Sequence, residues 1–367
     1  MPCVVRARVL LALVVLPLLG CQERVTPERP AAFGKVQELW QGGGLCARVP
    51  EGIACASSEE STITGAARVV SGLGQVKDIA MTMSRACALD ERGVACFRPG
   101  DDRSERFAFE SPTQVLTYRA FAAVPCVLHA KGVSCFKEGA KQPTLFMALG
   151  TPRRLLFDEG TEHLLCGVEA DLVRCITLSW DRAEPGVVLR GLADPKAIFV
   201  NKIGGQVHAV DGERLTYGEF AGTLLVGDPH TAKDPLDVDV TVRPFKGADV
   251  KLAHVAEVGG VKAAVPFSNA VVVLTDKGLA KVERRSGAHS VQPWATRSVP
   301  SDLMAGAYGE IFTVENGKLH VHGQNHGKEY DREVTGAGRP KRVFHDTWWS
   351  CFLGEDGAVG CTKAPPL

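Results

Sequence analysis

The sequence predicts an all-β fold, a β-propeller of seven or eight blades, and three observations carry that expectation. A hairpin cassette, two short apolar arms around a polar turn that usually bears glycine, occurs eight times at intervals of about 40 residues. A further β-like run precedes nearly every copy, and no segment sustains a helical period. Three or four strands per repeat of this length suit a blade, whose strands are covered on both faces and so read as near-continuous apolar runs. A β-sandwich array or a solenoid is the competing all-β arrangement. The expected organisation is an export signal at 1–20, a tether at 21–34, and a propeller over 35–365 with a loop insertion near 222–246.

Residues 1–20 have the anatomy of an export signal. Arg6 and Arg8 supply the positive start, and Val9 to Leu19 is an apolar run interrupted by Pro17. That run is short for a membrane span, which favours a cleaved signal. It ends in Leu18-Leu19-Gly20-Cys21, which resembles the bacterial lipobox. The resemblance implies cleavage before Cys21 and lipid attachment to it. Gln22, in place of Asp, then points to the outer membrane under the Gram-negative pattern. An ordinary secretory signal with an incidental cysteine is the competing reading. Gln22 to Pro30 is polar and proline-bearing, as suits a tether.

The cassettes follow in order. The first is Cys46 to Cys55 around Pro50-Glu51-Gly52, the second Cys87 to Cys96, the third Cys126 to Cys135 and the fourth Cys166 to Cys175. The fifth, His208 to Tyr217, has lost its cysteines, and so have Val272 to Lys281 and Phe312 to Val321. The eighth is Cys351 to Cys361. Preceding β-like runs lie at Val36–Trp40, Val76–Met81, Val115–Ala120, Arg154–Phe157, Ala197–Val200, Val261–Pro266 and Arg342–His345. The interval from His208 to Val272 exceeds one repeat by more than half; the excess near 222–246 reads as a loop or a degenerate extra blade, and the single strand-like stretch Val238 to Val242 favours the loop. Loops of this kind collect on one face and often carry binding function. The chain ends soon after the last hairpin, so residues near Ala31 to Phe33 are expected to close the ring as an N-terminal strand.

Ten cysteines remain beyond Cys3 and Cys21, and all ten occupy the cassette. Opposed positions across a hairpin bring α-carbons within bridging range, and an exported chain meets an oxidising compartment. The expected bonds are Cys46–Cys55, Cys87–Cys96, Cys126–Cys135, Cys166–Cys175 and Cys351–Cys361. Zinc would want closely spaced cysteine knuckles converging from two elements, and this spacing offers none.

At these residues the chain resembles the regulator-of-chromosome-condensation repeat family of β-propellers in its bacterial, cysteine-bearing form. The resemblance rests on Cys87-Ala88-Leu89, Gly93-Val94-Ala95-Cys96-Phe97, on the last cassette, and on His322-Gly323-Gln324-Asn325-His326-Gly327. It departs where Phe97, Phe136 or His322 stands in place of the family's Trp, and where three repeats lack cysteine. It implies the propeller fold and a binding platform, with no single activity attached.

The 42 basic and 42 acidic residues balance, which gives no footing for a nucleic-acid partner. There is no nucleophile elbow and no phosphate-binding loop, and no cofactor is expected. His320 and His322 share a strand face and are weak candidates for metal; structural roles are favoured. Asp234, Asp237 and Asp239 form an acidic edge without a calcium-loop glycine, and they stand as candidate binding residues. Trp348 and Trp349 are the other candidates, as a hot spot if exposed on a rim. His208 opposite Tyr217 reads as a cross-strand packing pair. The expectation is a monomeric envelope lipoprotein, held to the membrane by its lipid, that binds a protein or ligand. A periplasmic propeller lyase or hydrolase and a scaffold of outer-membrane assembly are the alternatives.

Overall fold

The structure is a computed structural model. It describes residues 33–363 apart from 220–247 and short stretches at 43, 60–61, 64–66, 83, 119–123, 137–140, 147–148, 158–163, 179–182, 202–204, 268–269, 286–287, 295, 297, 308, 326–327, 336–337 and 346–348. Eight blades, each built on an antiparallel meander, form a ring, so the copy number of the cassette is the blade number. The expected signal, Cys21, nearly all of the expected tether, residues 222–246 with Asp234, Asp237 and Asp239, and Trp348 lie outside the described residues.

Each cassette forms the second and third strands of its blade. In the second blade these are Ala86–Asp90 and Gly93–Phe97, between an inner strand Asp78–Met81 and an outer strand Glu105–Phe107. Turn chemistry sets the hairpins: Gly52, Gly93, Gly132 and Gly278 open the third strand at φ between 106° and 132°, which a β-carbon resists. In the seventh blade Asn316 and Gly317 both take positive φ, as a two-residue hairpin turn requires. The inner strand of that blade, Asp302–Ala307, has no counterpart among the runs seen in the sequence. Its Asp-Leu-Met-Ala-Gly-Ala lacks the β-branched and aromatic residues that mark a strand, and the neighbouring strands impose the conformation.

Eight separate apolar cores hold the ring, one at each seam between neighbouring blades. The core that closes the circle joins Leu39, Leu45 and Ala47 of the first blade to Cys351, Leu353 and Cys361 of the eighth. Phe33 and Val36 are buried in it, and Val36 N donates to Gly357 O at 3.2 Å. The eighth blade has three strands among the described residues, Pro340–His345, Trp349–Gly354 and Val359–Lys363. Phe33 itself is not in a strand, and residues 31 and 32 are outside the described set, so the N-terminal segment reaches this seam by packing and one backbone bond.

Inner strands present unpaired backbone groups toward the centre, and side chains from neighbouring blades satisfy several of them. Gln114 donates to Leu155 O at 3.0 Å and accepts from Leu155 N at 2.8 Å. Thr117 Oγ1 treats Met81 in the same way on the other side, at 3.0 and 2.7 Å.

The large interval after the fifth cassette resolves into an edge device. Beyond the undescribed residues, Ala248–Lys251 pairs parallel with Ala183–Arg190, on the outside of the fourth blade. The chain then crosses directly to the outside of the fifth blade, where Ala253–Gly259 pairs antiparallel with Arg214–Glu219. One extended run thus covers two exposed edges and ties two blades together. Gly218 permits the crossing: a β-carbon there would lie 2.5 Å from Val250 Cγ1 and 2.7 Å from Leu252 Cδ2.

Candidate functional site

All five expected disulfides are formed, with α-carbons 3.9–4.1 Å apart in register-opposed pairs. Strand alternation aims each one into the seam that follows its own blade. Cys46 and Cys55 sit in the core shared by the first and second blades, and Cys166 and Cys175 in that of the fourth and fifth. Cys351 and Cys361 sit in the closing seam. Five consecutive seams of the ring therefore carry sulfur, from the eighth blade through to the fifth.

The remaining seams carry other residues at the same two positions. These are His208 and Tyr217 in the fifth blade, Val272 and Lys281 in the sixth, and Phe312 and Val321 in the seventh. Both seams flanking the sixth blade are rich in ionisable side chains, and this sector is the candidate site.

The seam between the fifth and sixth blades holds three packed rings. The ring centroids of His208 and Tyr217 are 5.0 Å apart, those of Tyr217 and His289 4.6 Å, and those of His208 and His289 6.1 Å. Arg284 lies over the Tyr217 ring at 4.4 Å and its Nε is 2.6 Å from Glu219 Oε1, which also accepts the Tyr217 hydroxyl. Burial and the nearby positive groups His289 and Arg284 pull the His208 pKa down to about 4. Burial and Arg284 act in the same direction on His289. Burial, followed by the bond to Glu219, raises that of Tyr217.

The seam between the sixth and seventh blades holds a hydrogen-bonded network on the face of the seventh blade turned to the sixth. His322 Nε2 lies 2.9 Å from Glu315 Oε1 and 2.8 Å from Thr313 Oγ1, and the hydroxyl donates to Glu315 at 3.0 Å. His320 stacks beside His322 and pairs with Asp331 at 3.0 Å. Burial pushes the Glu315 pKa up, but the contacts with His322 and Thr313 outweigh it and leave it lowered. Glu315 and His322 side chains are each 1% exposed, while Asp331 reaches solvent at 23%. Glu315 also accepts from Ser298 N, in the connection between these two blades. Asp90 and Asp211, at the same strand position, accept from Gly74 N and Ala193 N in the same way. The shared position anchors blade-to-blade connections.

His320 and His322 thus share a face as expected, and each is bound to a carboxylate. Among the described residues no three His, Cys, Asp or Glu side chains are arranged to hold a metal ion. Trp349 lies opposite Lys363 in the ladder of the eighth blade. The sequence reading found His208, Tyr217, His320 and His322 but missed Arg284, His289, Thr313, Glu315 and Asp331. Alternation along the strand from Lys318 to Asn325, with acids at Glu315 and Asp331, was the available signal.

No protein-family model matches the chain, and no curated protein matches it. Among solved structures it is similar to the computationally designed Ika8 protein, at 11% identity and a TM-score of 0.51, over 94% of this chain and all of that one. BamB from Moraxella catarrhalis matches at 13% identity and a TM-score of 0.45, over 94% of this chain and 100% of that chain. Prp20p from Saccharomyces cerevisiae matches at 11% and 0.41, over 91% of this chain and 82% of that one. The likeness to Ika8 is one of fold alone.

Proposed function

We propose that this chain is an exported, lipid-anchored β-propeller that serves as an interaction platform at a bacterial cell envelope, akin to the cysteine-bearing members of the repeat family it resembles. One observation carries the reading: five buried disulfides, each within one hairpin and each aimed into a seam. Such bonds persist in oxidising compartments, and they agree with the export segment and with Cys21. Glu315 and His322 are sealed inside a seam, where they join blade to connection, so recognition would fall to the rim. The partner would be a protein or ligand that meets a rim loop, with the insertion near 222–246 as the first contact, and the platform itself would be a monomer.

The test is expression in a Gram-negative host with labelled palmitate. Label in the membrane fraction, lost in Cys21→Ser, supports the anchor; an unlabelled protein in the soluble periplasm overturns it. Crosslinking from the native envelope with and without residues 222–246 then asks whether the insertion recruits the partner. An unchanged crosslink pattern removes the insertion from the proposal.

A further inference from the structure

The seam between the fifth and sixth blades is built unlike its disulfide-bearing neighbours. Where those blades carry a disulfide within their own hairpin, the fifth blade has His208 and Tyr217, and His289 and Arg284 face them from the sixth. Both imidazoles keep a ring nitrogen, Nε2, buried without a hydrogen-bond partner. His208 is 4% exposed, so water does not satisfy that atom as it does on a surface. The surroundings are chiefly apolar, with Phe199, Val210, Leu215, Val271, Val273 and Val282 in the same core.

The charged and titratable groups facing the two rings come from each strand packed there. Arg284 lies on the strand Gly278–Arg285, Tyr217 and Glu219 on Arg214–Glu219, and Glu257 on Ala253–Gly259. Glu219 is committed to Arg284 and to the Tyr217 hydroxyl. A proton added to either imidazole therefore sets a second positive charge beside Arg284, and a proton on each sets three cations in one seam. A seam that must take up those charges separates more readily than one filled by uncharged disulfides and apolar side chains, because unpaired buried charge is costly.

We propose that the seam between the fifth and sixth blades is an acid-sensitive latch, in which protonation of His208 and His289 parts these two blades while the disulfide-bearing blades stay closed. Neutral imidazoles pack against Tyr217 and hold the latch shut; imidazolium ions next to Arg284 require solvent and open it. The opening is reversible, since no covalent bond changes. This inference stands on the seam and is independent of the lipid anchor.

Hydrogen-exchange mass spectrometry on the full disulfide-bonded chain, corrected for the intrinsic pH dependence of exchange, tests it. Between about pH 7 and about pH 4.5, peptides covering 206–219 and 278–293 should lose protection by about tenfold or more, while those covering 86–97 keep theirs. Equal protection of the seam at both pH values overturns the latch, and so does simultaneous loss across the whole ring. His289→Phe, at the half-exposed member, should reduce the acid effect, and His208→Phe with His289→Phe should abolish it. If the double variant folds poorly, the single one still tests the assignment, because an acid response identical to that of the unmodified protein overturns a latch that acts through both histidines.

Discussion

Gly323 stands directly opposite Tyr330 in the ladder of the seventh blade, and its missing side chain is the space through which the phenol reaches Glu310. A β-carbon on Gly323 would lie 2.3 Å from the Tyr330 oxygen and 2.4 Å from the ring carbon that bears it. Burial raises the pKa of Glu310, opposed by the Tyr330 hydroxyl and by Arg332. Gly323→Ala should therefore displace the ring and leave a buried carboxyl unsatisfied, costing about 2–4 kcal/mol. Tyr330→Phe leaves the same carboxyl unsatisfied but does not displace the ring, and should cost about 1–2 kcal/mol. Urea melts of the two variants check the order, and a larger loss for Tyr330→Phe would contradict the packing account.

Acid should weaken the second blade at a pH set by Asp90, whose side chain is fully buried. Burial alone would push its pKa up, but Arg106 and the Gly74 and Arg92 amides outweigh this and hold it at about 2. A carboxylate lowered in the folded state contributes stability above its unfolded pKa and loses it as pH falls through the folded one. The contribution, roughly 2 kcal/mol, should be complete above about pH 4 and fade toward about pH 2. Asp90→Asn should flatten that part of the stability profile, which urea melts across the range would record.

Reduction should act on one arc of the ring. Each disulfide closes a short loop, worth roughly 2–3 kcal/mol by chain entropy. In reductant, hairpin amides of the first to fourth and eighth blades should exchange faster, while 310–322 of the seventh change little. Cys87→Ala with Cys96→Ala should reproduce the effect in the second blade alone. Alkylation of the untreated chain that labels ten thiols would refute the bonds.

The Glu315–His322 pair should be strongly coupled. Glu315→Leu alone leaves the imidazole and Thr313 in a dry seam without the carboxylate, a loss of about 3–5 kcal/mol. His322→Phe places at this position the residue that Phe97 and Phe136 already supply in the second and third blades. Combining the two should recover at least half of the loss, because the network is then replaced by apolar packing. A double variant as unstable as the sum of the singles would mean that the pair is not coupled.

What could be read from the chain was whatever is made within one hairpin. The turn glycines, the Cys87–Cys96 register and the seating of His208 across from Tyr217 depend on residues about ten apart, and composition and spacing express them directly. Counting the copies left seven or eight blades, and the closed ring has eight. The strand Asp302–Ala307 escaped because its own residues carry little strand preference, and its neighbours enforce its shape.

The tertiary structure alone decided which faces meet. Nothing periodic in the chain brings His289 and Arg284 to His208, sets Ser298 N on Glu315, or lays Val250 and Leu252 over Gly218. A repeat specifies the surface that each blade presents, but a seam is formed by two such surfaces from different repeats. The character of each seam, sulfur-lined on one arc and ionisable around the sixth blade, follows from closure of the ring, which presses those surfaces together and excludes water from between them.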